Sequence, residues 1–152
     1  MDGNIILAIA AGIVVLAAVI FLVTRRRQPV EEAPPPPPRE YEVTLYSGGE
    51  VAKTFTSSRI STGDGKGYAV ELGNVEYSIF GGNYVIEPKG SAKNPLRTPG
   101  SKYVVRLYSG GKSVREWYAV RTSTGNGKVY VLPEGAEEYT IIGGTYLVEP
   151  TT

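Results

Sequence analysis

The chain contains no cysteine and no histidine. Without cysteine there is no disulfide frame and no thiolate metal site. Without histidine the usual general base and the usual imidazole ligand are both missing. Net charge is also small: 16 Lys and Arg against 15 Asp and Glu leave +1. That balance argues against a nucleic-acid partner held by charge alone. Helical periodicity is scarce too, since no segment after residue 24 carries a convincing 3.6-residue repeat of apolar positions. No cofactor and no metal are expected from this inventory.

One long apolar run is present. Ile5–Val23 reads IILAIAAGIVVLAAVIFLV, 19 apolar or small residues without interruption. As a helix it would span roughly 28 Å, close to the hydrocarbon thickness of a bilayer. A soluble helix of that length should show a polar face, and this one has none. A secretory signal would carry its positive charge ahead of the run. Here Asp2 precedes it, and Arg25, Arg26 and Arg27 follow. The sequence therefore predicts a tip over residues 1–4 and a transmembrane helix over 5–24. The three arginines should stay cytoplasmic, which puts the N-terminus outside and the bulk of the chain on the cytoplasmic side. Residues 25–40 read as a basic, proline-rich stalk. Pro34–Pro38 favours polyproline II, and a spacer of this kind reaches about 40 Å.

Beyond the stalk the sequence repeats itself. Tyr41–Pro88 aligns with Tyr103–Pro150 without a gap at an offset of 62, and 23 of the 48 positions are identical. A duplicated unit explains this, with repeat 1 over 41–88, a linker over 89–102 and repeat 2 over 103–152. Each unit reads as all-β. Tyr41–Leu45 alternates in polarity and runs into Gly48-Gly49, a two-residue turn able to take positive φ. The next strand passes through Phe55 in one copy and Trp117 in the other, both expected in the core. Ser61–Lys66 (STGDGK) and Ser123–Lys128 (STGNGK) carry tight-turn dipeptides. Further strands are predicted near Tyr68–Leu72, Val75–Phe80 and Tyr84–Glu87. The expected fold class is thus all-β: a transmembrane helix followed by two tandem antiparallel meanders or SH3-like barrels. Units of 48 residues have marginal cores, so the copies should pack on each other or on a partner. The linker, with two prolines, two glycines and four positive charges, should be exposed.

The motifs give little chemistry. Gly63–Lys66 and Gly125–Lys128 resemble the end of a phosphate-binding loop, but the first glycine of that pattern and the Ser or Thr after the lysine are absent. Asp64 stands alone and becomes Asn126, so no calcium loop forms. Glu76/Glu138 and Glu87/Glu149 recur, but no recurring partner would raise one pKa of a pair for acid–base work. Glu87 and Glu149 precede prolines at strand ends, where solvated charges are expected. No enzymatic activity is expected. Five tyrosines recur in each copy. Tyr46 and Tyr108 share a strand face with Thr44 and Arg106, opposite Val43/Leu45 and Val105/Leu107, and so are candidate protein-contact residues. Repeat 1 has three positive and six negative residues, and repeat 2 has five of each, which suggests different neighbours.

The Y-x-V-x-L-Y-S-G-G opening and the I-x-G-G-x-Y-x-[IV]-E-P close resemble small β-domain repeats encoded by bacteriophages. The layout of short apolar helix, proline stalk and soluble modules resembles minor membrane proteins of tailless, membrane-containing phages of the tectivirus kind. That resemblance implies a minor capsid protein of the virion membrane, tethering a bilayer to a protein lattice. The expected partners are lipid bilayer and a capsid or other virion protein, with a homo-oligomer as a further option and no nucleic acid. The alternative is an envelope-associated protein recognising a glycan or receptor through its β-modules. A lysis-related role fits less well, since one span and large modules suit pore formation poorly.

Overall fold

The computed structural model describes residues 39–93 and 95–151. The predicted span, Arg25, Arg26 and Arg27, and nearly all of the stalk lie outside the described residues. Among the described residues every regular element is a strand, and no helix is long and apolar enough to cross a membrane. Repeat 1 supplies β1 (Tyr41–Ser47), β2 (Glu50–Gly63), β3 (Lys66–Glu71), β4 (Ser78–Phe80) and β5 (Asn83–Pro88). Repeat 2 supplies β6 (Tyr103–Ser109), β7 (Lys112–Ala119), β8 (Arg121–Gly125), β9 (Lys128–Leu132), β10 (Thr140–Gly143) and β11 (Thr145–Pro150).

The turns form where their dipeptides place them. Gly48 and Gly49 both take positive φ, at 58° and 86°. Asp64 and Asn126 do the same at 47° and 49°, each followed by a positive-φ glycine, as a tight hairpin turn requires. The GDGK and GNGK strings are therefore hairpin tips between β2 and β3 and between β8 and β9.

Two strands differ from expectation. β2 runs for 14 residues through a bulge between Ser57 and Arg59. The buried Ser57 hydroxyl donates toward Val70 O (2.9 Å) and Arg59 O (2.7 Å) and accepts from Arg59 N–H, which holds the bulge. Ala119 stands at that position in repeat 2 and has no hydroxyl to offer; there the strand breaks into β7 and β8. The strand expected over Val75–Phe80 is reduced to Ser78–Phe80, because Asn74 N–H turns back to Glu71 O and Val75 projects into solvent, 92% exposed.

Strand registers match between the repeats at the same offset of 62. Thr44 faces Val85 and Arg106 faces Leu147; Gly67 faces Phe80 and Val129 faces Ile142. Repeat 1 lies in the order β4-β3-β2-β1-β5, and β5 then pairs with β10 of the other repeat. The result is an eight-stranded sheet, β4-β3-β2-β1-β5-β10-β9-β8, beside a three-stranded sheet, β11-β6-β7.

Two apolar clusters fill equivalent positions. One joins Val43, Phe55, Ala69, Phe80, Tyr84 and Ile86. The other gathers Val105, Leu107, Trp117, Val131 and Ile142, with Tyr146 and Val148 packed on it. The second also takes in Val85 from repeat 1. β5 thus alternates Tyr84 and Ile86 into its own cluster and Val85 into its neighbour's, and both of its faces are buried. A buried strand of this kind reads as a continuous apolar run, as Tyr84-Val85-Ile86 does.

Candidate functional site

Residues from both copies meet at the joint between β5 and β10. In its ladder Ile86 faces Ile141, Val85 faces Ile142 and Tyr84 faces Gly143. The last pair needs glycine for a steric reason. A Cβ at position 143 would lie 2.2 Å from Tyr84 Cε1 and 2.3 Å from its Cζ. Asn83 Oδ1 accepts from Thr145 N–H at 2.9 Å just beyond the ladder.

Glu87 is not the solvated strand-end charge expected from the sequence: it is 2% exposed. Repeat 2 covers it, and Arg115 of β7 donates to both carboxylate oxygens, Nη1 to Oε1 at 2.9 Å and Nη2 to Oε2 at 2.7 Å. Arg115 Nε donates to Lys93 O at 2.7 Å, and the guanidinium sits 4.8 Å from the Trp117 ring centroid. This forked geometry satisfies a buried carboxylate in a way lysine could not. Its counterpart Glu149 is half-exposed and bonds Arg106, which also holds Glu116 at 2.6 Å. The Tyr118 hydroxyl, with help from Arg106, keeps the Glu116 carboxyl below its usual range. Glu138, the other recurrent acid, meets Arg39 at 2.5 Å and the Tyr41 hydroxyl at 3.3 Å. Burial first, and the Glu138 charge second, push the Tyr41 phenol up.

The face carrying Tyr46 is not open to solvent. Thr44 beside it is 4% exposed, and Tyr46 is half-buried against the cluster of repeat 2. It lines a groove with Val51, Val114 and Arg115. Tyr108 is half-buried and joins neither cluster. The structure therefore does not bring Tyr46 and Tyr108 together; it places one at the joint and the other at the equivalent place on repeat 2. A larger groove of about 460 Å³ runs between the linker and the β9–β10 turn, lined by Pro88, Pro95, Trp117, Pro133, Glu134 and Glu138 among others. Among the described residues no group of three or more acidic side chains is placed to hold a metal ion.

The joint also contains a buried polar atom without a partner among the described residues, the hydroxyl of the fully buried Tyr84. Burial, with a smaller contribution from Tyr130, pushes its pKa up to about 12. The equivalent Tyr146 hydroxyl donates to Lys128 O at 3.1 Å. Tyr84→Phe is therefore expected to stabilise the fold by about 1 kcal/mol, and Tyr146→Phe to destabilise it by a similar amount, in denaturant titrations. The phenol is neutral when folded, so its contribution is full below the ordinary tyrosine pKa of about 10 and fades as pH rises toward about 12. The Phe variant should lack that part of the alkaline loss. Equal destabilisation by both substitutions would mean that the Tyr84 hydroxyl is bonded after all.

No family model matches this chain, and comparisons with curated proteins and with solved structures found no match.

Proposed function

We propose that the chain is a membrane-anchored structural protein that ties a bilayer to a protein lattice. The observation that carries this reading is the joint. Two copies of one unit merge into a single hydrogen-bonded body, and the recurrent Glu87, Tyr84 and Gly143 are engaged in holding it together. Such a body suits transmission of a fixed distance better than it suits chemistry on a small substrate. In this reading residues 5–24 span the membrane, Arg25, Arg26 and Arg27 hold the stalk on the cytoplasmic side, and residues 25–40 act as a stiff spacer. Each repeat is a small antiparallel β-module, of five strands in the first copy and six in the second, where β7 and β8 are separate. The lattice is the shell of a membrane-containing phage virion, and the chain is one of its minor proteins.

Orientation tests the reading. Protease added to intact cells should spare the segment from Tyr41 onward, and permeabilising the cells should expose its loops to cleavage. The linker at Lys89–Lys102 is the expected first cut, because most of it is exposed and none of its described residues lies in a strand. Digestion in intact cells would overturn the tether. It would favour an envelope protein that presents its β-modules outward to a glycan or receptor.

A further inference from the structure

We propose that copies of this chain join end to end, β11 of one copy pairing with β4 of the next, through a repetition of the joint already present inside the chain. This goes beyond the tether reading and does not rest on it. The internal joint uses the β5 edge of repeat 1 and the β10 edge of repeat 2. The counterparts of those edges at an offset of 62 are β11 and β4. Among the described residues β11 pairs only with β6, and β4 only with β3. Each therefore keeps one free edge, and the two are complementary in the sense that β5 and β10 are.

The side chains support the same match. Shifting the internal register by one repeat sets Val148 opposite Ile79, Leu147 opposite Phe80, and Tyr146 opposite Gly81. Val85 is fully buried in the joint, whereas its counterpart Leu147 is 43% exposed. Ile141 is half-buried there, whereas Ile79 is 65% exposed. A Cβ at Gly143 would strike the Tyr84 ring, whereas one at Gly81 would meet nothing within 4 Å. Leu147, Ile79 and Gly81, the counterparts of covered Val85, Ile141 and Gly143, are thus uncovered at the free ends. Charge follows the same rule. The Glu87–Arg115 pair maps onto Glu149 and Lys53, both about half-exposed at the side chain and, among the described residues, ion-paired with Arg106 and Glu71. Tyr46 packs on repeat 2, and Tyr108 would pack in the same way on the next copy. A second copy is thus the occupant whose shape, apolar pattern and charge the chain itself specifies. The contact is heterologous, so it adds copy after copy, into a ring or a filament, instead of closing an isologous dimer.

The absence of native cysteine makes the register directly testable. In full-length protein in mild detergent, Ile79→Cys combined with Val148→Cys should give a ladder of covalent multimers on mild oxidation. Each single variant should give no species beyond a dimer. Wild-type protein should gain more than twofold in weight-average mass as concentration rises. Gly81→Ala should abolish both the growth and the ladder, because its methyl would strike Tyr146 of the neighbour, while leaving the thermal unfolding midpoint in place. Growth that persists in Gly81→Ala, a double-cysteine variant that stops at dimers, or a wild-type mass that stays monomeric at all concentrations would each overturn the proposal. Should the cysteine pair fail to fold, the mass measurement on wild type and Gly81→Ala decides alone.

Discussion

Arg115→Ala is expected to cost about 3–5 kcal/mol of folding stability, the range for removing one partner of a buried ion pair. Both side chains are nearly inaccessible, at 6% for Arg115 and 3% for Glu87. Truncation would strand the buried Glu87 carboxylate with neither of its two donors. It would also remove the donor to Lys93 O and the cation over Trp117. The loss comes from the charge left behind more than from any large net worth of the pair. A double replacement, Glu87→Leu with Arg115→Met, is accordingly expected to recover most of the stability. Arg106→Ala, at a pair open to solvent, should cost far less. Urea titrations of the four proteins measure all of this. If Arg115→Ala loses under 1 kcal/mol, the repeats do not cover Glu87 as described.

Glu87 also marks the boundary of what could be read from the sequence. Local patterns carried far. Gly48-Gly49, Asp64-Gly65 and Asn126-Gly127 turn where their φ preferences allow, and Phe55 and Trp117 are buried as their strand positions implied. The all-β character followed from the same period-2 alternation. Alternation, however, tells which residues share a face and not what lies on that face. Tyr46 and Thr44 do share one, but repeat 2 covers it. Glu87 reads as a polar strand end until a side chain 28 positions further on reaches it. The joint ladder pairs Tyr84 with Gly143, 59 positions later, and no local motif announces such a pairing. One signal was available: Val85 lies between Tyr84 and Ile86 in an unbroken apolar run, the mark of a strand covered on both sides. The shortening of β4 was less legible, because Val75 is apolar yet stands in solvent.

The second large effect is expected at that ladder. Gly143→Ala should destabilise the fold by about 3 kcal/mol, the upper part of the range for overpacking a filled core. Its φ lies outside the left-handed region, so the backbone itself would accept alanine. The conflict is steric: the new methyl carbon would sit 2.2–2.8 Å from Cε1, Cζ and Oη of Tyr84. The ring cannot retreat, since it is fully buried and packs edge-on against Phe80 at 5.1 Å between centroids. The methyl must therefore part β5 from β10, and the repeats would separate before either loses its own sheet. The same substitution at the equivalent Gly81 meets nothing within 4 Å and should change stability by less than about 0.5 kcal/mol in the monomer. A double-mutant cycle isolates the cause. Gly143→Ala in a Tyr84→Ala background should cost little beyond the loss of the ring, giving a coupling of 2 kcal/mol or more between the two sites. Hydrogen exchange should show early loss of protection at Tyr84–Ile86 in Gly143→Ala, with β1 and β2 retained. If Gly143→Ala and Gly81→Ala prove equally mild, the backbones at β5 and β10 lie further apart than a shared ladder permits, and the joint that unites the two repeats is wrong.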